Sequence, residues 1–171
     1  EKDKGSSRPS HRLFRSLLFR LDPETAHAVT LQALRFAENF PLSHWFLTQL
    51  YKAPFKPLQA FGLTFKNPIG IAAGYDKDAI AINGLAALGF GHVEVGTVTP
   101  RPQPGNSHPR VFRLLEDEGV INRLGFPGKG AEYVSKQLSV INRQRSVVIG
   151  VNLGKNKNTP LEEASSDYID L

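Results

Sequence analysis

Residues 69–77 read Ile69-Gly70-Ile71-Ala72-Ala73-Gly74-Tyr75-Asp76-Lys77. A short apolar run that closes on small residues and then polar ones predicts a buried strand over 69–73. The apolar spacing of Ile80, Ile82, Leu85 and Leu88 predicts a helix over 78–88. The pattern recurs downstream. Val93–Thr97 reads as a second strand closing on Gly96-Thr97, Gly130–Gln144 as a helix, and Val147–Asn152 as a third buried strand followed by Leu153-Gly154-Lys155. Such alternation implies an α/β fold with a parallel sheet covered by helices. Ligands of parallel sheets gather at the C-terminal strand ends, where all three runs carry small or polar residues. Shorter features surround this frame. Leu58–Phe61 and Leu63–Phe65 predict a hairpin around Gly62, Val111–Leu115 and Val120–Ile121 predict excursion strands, and residues 161–171 begin another helix.

Upstream the pattern is helical. Residues 1–10 are polar and read as a flexible tail, and residues 11–20 as a helix carrying Leu13, Phe14, Leu17 and Leu18. Asp22-Pro23-Glu24 is a helix start, with an N-cap aspartate, proline at the first helical position and an acidic first turn. That helix runs to about Phe40, with Ala26, Val29, Ala33, Phe36, Ala37 and Phe40 at three- and four-residue steps, and Pro41 ends it. Ser43 is the expected cap of a third short helix bearing Trp45, Phe46 and Leu50. Pro54 and Pro57 break the chain's helical character. The division is therefore a tail over 1–10, a helical subdomain over 11–53 and an α/β part over 54–171.

The 171 residues carry no cysteine, which excludes disulfides and thiolate metal sites, and the five histidines make a transition-metal centre improbable. The net charge of +5 is local: residues 1–20 hold six basic and two acidic groups, whereas the remainder is nearly balanced. A broad basic face for nucleic acid is therefore not expected. A short basic arm beside apolar residues suits an anionic membrane surface, and no apolar run approaches the ~20 residues needed to span a bilayer, so any membrane contact is peripheral.

Four blocks carry candidate chemistry. After the first strand, Ala73 and Gly74 allow a flat ligand near the backbone, and Lys77 brings a cation able to stabilise an anionic substrate or reduced flavin. Gly96-Thr97 repeats the small strand end, and Glu94 points either into a barrel interior or toward a neighbouring partner. In Pro109–Leu114 and Val120–Phe126, Arg113 offers a planar donor fork, Asn122 can both donate to and accept from a cyclic amide, and Phe126 can pack on a ring. Asn152 closes the third strand with an amide that needs a partner. Gly154-Lys155 lacks the spacing of a phosphate loop, which excludes nucleoside triphosphates.

Together with Leu21-Asp22-Pro23-Glu24-Thr25-Ala26-His27, these blocks resemble the class 2, quinone-dependent and membrane-associated dihydroorotate dehydrogenases from about residue 13 to the end. The matching words are Asn67–Lys77, Gly89-Phe90-Gly91, Val93–Pro100, Pro109–Leu114, Ile121–Phe126 and Gly150–Lys157. The resemblance implies the N-terminal part of a (β/α)8 TIM barrel, preceded by a helical subdomain and holding FMN at the strand ends. It implies flavin contacts from Ala73, Gly74, Tyr75, Asp76, Lys77, Thr97 and Asn152. Dihydroorotate would face Lys77, Asn122, Arg123, Leu124, Gly125, Phe126 and Asn152, and the quinone would enter near His27 and Arg113. The implied reaction oxidises dihydroorotate to orotate, removing a proton from C5 and moving hydride from C6 to flavin N5, in pyrimidine biosynthesis, with a membrane quinone as final acceptor. The implied setting is the cytoplasmic face of a bacterial inner membrane, or the mitochondrial inner membrane, reached through the N-terminal helices. No metal and no nucleic acid are implied.

Two departures stand out. Pro127 occupies a position where the family often has asparagine, so a hydrogen bond to substrate or loop is expected to be missing. Asp78-Ala79-Ile80 replaces a commoner glycine/acidic pairing. The sequence stops near the third barrel strand, so the family's serine base, a later flavin-binding lysine and phosphate-binding glycine loops are expected beyond Leu171, and residues 1–171 alone are expected to be inactive. A fumarate- or NAD-linked relative or a dihydropyrimidine-reducing one is the nearest alternative, but those lack the Asp-Pro-Glu-x-Ala-His helix. A non-enzymatic membrane-surface fragment is the other.

Overall fold

The structure is a computed structural model that describes residues 15–141 and 147–171. The expected tail, Leu13, Phe14 and the expected helix end at 142–144 lie outside the described residues. Residues 15–18 are helical. Helix α1 (Pro23–Asn39) begins where the sequence places it, because Asp22 Oδ1 accepts from the N–H groups of Glu24 and Thr25, a cap of about 1 kcal/mol. Helix α2 (Pro41–Leu50) begins at Pro41 itself. Ser43 is not its cap: the Ser43 hydroxyl lies inside the first turn and donates back to the carbonyls of Ala37 and Phe40.

The hairpin β1 (Leu58–Ala60) and β2 (Leu63–Phe65) turns through Phe61 and Gly62, both at positive φ. A two-residue turn of that kind matches the strands' own twist. The parallel sheet has the order β3-β4-β7, from β3 (Gly70–Ile71), β4 (His92–Val98) and β7 (Val148–Leu153). Gly70 pairs with His92, and His92 with Val148. The antiparallel pair β5 (Val111–Leu114) and β6 (Gly119–Asn122) forms the excursion after β4.

Several boundaries differ from expectation for identifiable reasons. The first strand is two residues long and half-buried, beginning at Gly70 with Ile69 just before it 63% exposed. The third expected strand, β7, is half-buried over residues 148–150, with Val151 and Leu153 exposed. Helix α3 covers only Ile82–Ala87. Residues 78–81 are held instead as a turn by Asp76, whose two carboxylate oxygens accept from the N–H groups of Ile80 and Ala81, with Ala79 at φ +58°. Helix α4 (Ala131–Ser139) stops short of the expected Gln144, capped at Val140. Residues 161–163 form a 3-10 turn leading into α5 (Ala164–Ile169), as expected.

The core lies between sheet and helices. Val93, Val95 and Val98 of β4 pack on Ile82 and Leu85 of α3 and Val134 of α4. The β4–β7 register shifts by one residue between Val95 and Val98. That bulge lets Val98 rejoin the helix-facing side, while the Thr97 hydroxyl reaches Asn152 of β7. Helix α1 docks against α3 through Leu34 and Gly84, where an added Cβ would lie 2.7 Å from the Leu34 carbonyl oxygen. Its Glu38 carboxylate caps α3 by accepting from the Gly84 N–H at 2.8 Å. Burial raises the Glu38 pKa above the ordinary carboxylate value, with these backbone N–H groups acting against the rise.

Candidate functional site

The C-terminal end of the sheet opens into a cleft of about 510 Å³ lined by Ala73, Gly74, Lys77, Thr97, Asn106, Asn122, Arg123, Leu124, Gly125, Phe126 and Pro127. Each element contributes for a local reason. The segment after β3 is stitched to β4 by hydrogen bonds from Gly74 N to Gly96 O (2.7 Å) and from Gly96 N to Asp76 O (3.1 Å). Gly96 sits at φ +108° with β7 so close that a Cβ would meet Asn152 O at 2.5 Å, so only glycine fits. Glu94 faces the β3 end, where its Oε2 accepts from Ala73 N–H.

Lys77 donates to the Gly74 carbonyl at 2.7 Å. Partial burial lowers its pKa, while Glu24 and Asp78 pull the other way and Arg110 adds to the lowering. A partly desolvated ammonium interacts more strongly with an anion than one in bulk water. Thr97 donates to Asn152 Oδ1 at 2.6 Å, which leaves the Asn152 amide nitrogen as the end with protons to offer. Asn122 is exposed, and among the described residues its side chain has one long contact, 3.4 Å from Leu124 N–H to its Oδ1.

Of the residues named from sequence, Ala73, Gly74, Lys77, Thr97, Asn122, Arg123, Leu124, Gly125 and Phe126 share the cleft wall. Asn152 stands behind Thr97. Tyr75 and Asp76 lie outside the lining; Asp76 is 1% exposed and its carboxylate shapes the turn before α3. Burial raises its pKa, and the N–H groups of Ile80 and Ala81 oppose that rise. Asp78, at the departure from the family pattern, accepts from Lys129 N–H at 2.8 Å and so ties the far end of the cleft wall to the strap after β3. Asn106 is not singled out in the sequence, yet it lines the cleft, donates to Arg123 O and accepts from Lys157 Nζ. Pro127, noted as a departure, also lines it.

His27 and Arg113 lie apart from this cleft, toward the helical subdomain. His27 Nε2 meets the Tyr75 carbonyl at 2.6 Å, and the two rings pack edge to face. A carbonyl only accepts, so this nitrogen carries a proton. Burial lowers the His27 pKa, and the Tyr75 carbonyl partly offsets the lowering. Thr30 spends its one hydroxyl proton on His27 O, so the Tyr75 hydroxyl donates to Thr30 at 3.0 Å. Arg113 donates to the carbonyls of Leu18, Phe19 and Leu21 and lies over the Phe19 ring at 4.6 Å. Its donor fork therefore holds the N-terminal segment against β5.

Among the described residues no group of His, Asp and Glu is arranged to hold a metal ion, and no helix is long and apolar enough to cross a membrane. The family model of dihydroorotate dehydrogenase matches residues 57–171. The chain belongs to the dihydroorotate dehydrogenase family. It is 54% identical over 159 residues to the dihydroorotate dehydrogenase (quinone) of Roseiflexus sp. strain RS-1, which covers 92% of the chain and 44% of that relative. It is 52% identical over 162 residues to the protein of the same name from Acidithiobacillus ferrooxidans, covering 94% and 44%. Among solved structures, the Eimeria tenella dihydroorotate dehydrogenase in complex with ferulenol superposes with a TM-score of 0.67 at 38% identity, over 86% of this chain and 39% of that one. The chain thus spans about 44% of the length of the curated relatives it matches. Every block that carried the resemblance, apart from the helical Leu21–His27, lies within the matched 57–171 span.

Proposed function

We propose that this protein oxidises dihydroorotate to orotate, with FMN as hydride acceptor and a quinone as final electron acceptor, in pyrimidine biosynthesis. The observation that carries the reading is the convergence of Ala73, Gly74, Lys77, Thr97, Asn122 and the Leu124–Phe126 wall on one cleft at the end of a parallel sheet. The cleft fits a flat ring system. Gly74 has nothing within 4 Å of where a Cβ would stand, so the backbone is approachable, and Thr97 lines the cleft with its hydroxyl bonded to Asn152. FMN, when bound, supplies the hydride-accepting centre. Ala73, Gly74, Lys77, Thr97 and Asn152 would hold it, with Tyr75 and Asp76 shaping the strap on which Lys77 stands. The Lys77 ammonium favours negative charge on a ring beside it. Asn122 and Asn152, with Lys77, orient the substrate's imide and carboxylate, and the wall Arg123-Leu124-Gly125-Phe126 covers it.

The sheet order β3-β4-β7 follows the sequence without reversal, as in the first three strands of a TIM barrel and equally in one half of a doubly wound sheet. Membership of the dihydroorotate dehydrogenase family favours the barrel. We assign residues 54–171 to that barrel and 11–53 to a helical subdomain. The subdomain offers Phe36, Leu42, Trp45 and Phe46 to solvent, each more than half exposed. A face of this kind suits peripheral insertion into a membrane, where a quinone would be collected and passed toward His27 and Arg113. The bacterial inner membrane is the setting we favour.

The test is an assay of the intact protein with dihydroorotate and a short-chain quinone, with fumarate and NAD as alternative acceptors. Reduction of the quinone alone supports the reading. Equal or better turnover with fumarate or NAD contradicts it. Lys77→Gln is expected to lower turnover by about 100-fold, the scale of losing one preorganised electrostatic group.

A further inference from the structure

We infer that Gln103 is a positioning residue for the substrate side of the cleft, an inference that rests on the reading of that cleft given above. Gln103 does not line the cleft. It lies in the loop after β4, and both ends of its side-chain amide are bonded. Oε1 accepts from Asn156 Nδ2 at 3.0 Å and from the Lys157 backbone N–H at 2.9 Å. Nε2 donates to the carbonyls of Gly125 at 3.3 Å and Phe126 at 3.0 Å. The backbones of Gln103 and Gly128 exchange two further bonds at 3.0 Å. A primary amide offers two protons and two acceptor sites, and all four are used.

One side chain therefore joins the loop after β7 to the wall over residues 125–128. The upper part of that wall has other supports, since Asn106 donates its backbone N–H to Leu124 O and its side chain to Arg123 O. Among the described residues, the carbonyls of Gly125 and Phe126 are held by Gln103 alone. Burial does not hold them either: Phe126 is 57% exposed, at φ +51°. Gln103 thus fixes where the wall stands over the strand ends, and none of its side-chain partners, Gly125, Phe126, Asn156 and Lys157, is among Ala73, Gly74, Lys77, Thr97 and Asn152, the residues assigned to flavin. Its loss is expected to weaken substrate binding and leave cofactor binding intact.

The test uses Gln103→Glu in the intact protein. A carboxylate puts an acceptor against two carbonyls that need a donor. FMN content and kcat are expected to stay near wild type, and KM for dihydroorotate to rise about tenfold at neutral and alkaline pH, the pattern of lost uniform binding. As pH falls and the carboxyl takes a proton it regains a donor, so KM should drop back toward wild type. Gln103→Met, which has no polar amide, should show the same rise with no such recovery. Unchanged KM in both variants overturns the inference. Loss of FMN or failure to fold in the variants also overturns it, by making Gln103 a fold residue. Wild-type protein that binds no FMN or does not oxidise dihydroorotate refutes the underlying reading of the cleft instead.

Discussion

Arg110 grips Glu24 across the boundary between helix α1 and the loop after β4: its Nε and Nη2 reach the carboxylate at 3.0 and 2.9 Å. The same guanidinium donates through Nη1 to the carbonyls of Pro104 and Asn106, and His108 Nδ1 meets Glu24 at 2.8 Å. Arg110 is 9% exposed, so this is no surface ion pair. Arg110→Ala leaves the partly buried Glu24 carboxylate with His108 as its remaining partner and takes the Arg110 donor from the carbonyls of Pro104 and Asn106, and is expected to cost about 3 kcal/mol of stability. Urea unfolding of the intact protein measures this. A loss below about 0.5 kcal/mol would place the pair with ordinary surface salt bridges.

Gly84 predicts how tightly the helical subdomain is seated. A methyl group there would stand 2.7 Å from Leu34 O and 3.1 Å from Leu34 Cβ, both on α1. Gly84→Ala ordinarily favours a helix, so intrinsic propensity predicts a gain. Overpacking against a backbone carbonyl outweighs that gain, and a net loss of about 1–3 kcal/mol is expected. A melting temperature at or above wild type would show that α1 can shift away freely.

His27 gives the pH dependence a definite sign. Burial holds its folded pKa below the ordinary imidazole value of 6.5. As pH falls, the unfolded chain therefore takes up the proton first. The stability associated with neutral His27 is full above the ordinary value and is lost as pH drops through it toward the folded pKa. Thermal unfolding between about pH 7.5 and pH 5 should show this decline, and His27→Gln, which keeps an N–H donor for Tyr75 O, should flatten it. Identical slopes in the two proteins would refute this.

Much of the site was legible because its residues fall at strand ends, where period and composition change together. Lys77 and Thr97 could be read that way, and Asn122 and Phe126 could be read from side-chain chemistry, an amide that both donates and accepts and a ring that can pack on another. The helix start at Asp22 was legible for the same reason: its chemistry is local. What escaped the sequence is non-local. Asp76 forms its own turn and delays α3 to Ile82, which the apolar spacing of Ile80, Ile82 and Leu85 cannot reveal. Glu38 reads as an ordinary surface glutamate until α1 is docked and its carboxylate meets Gly84 N–H. Gln103 sits in a proline-rich loop, and its four partners come from segments more than twenty residues away. The exposure of β3 and β7 does not test the burial expected from sequence, because the chain spans about 44% of the length of its relatives and the strands that flank these two in a closed barrel lie outside it.

The central claim is that Lys77, Asn122 and Asn152 serve one flat, hydride-accepting ring. It is tested most directly by the visible absorption spectrum of the intact protein, recorded without oxygen before and after dihydroorotate is added. Bound oxidised flavin that bleaches on addition, and bleaches far more slowly in Lys77→Gln, is the predicted result. A protein that is colourless and takes up no FMN, or a bound flavin whose spectrum dihydroorotate leaves unchanged, would contradict it.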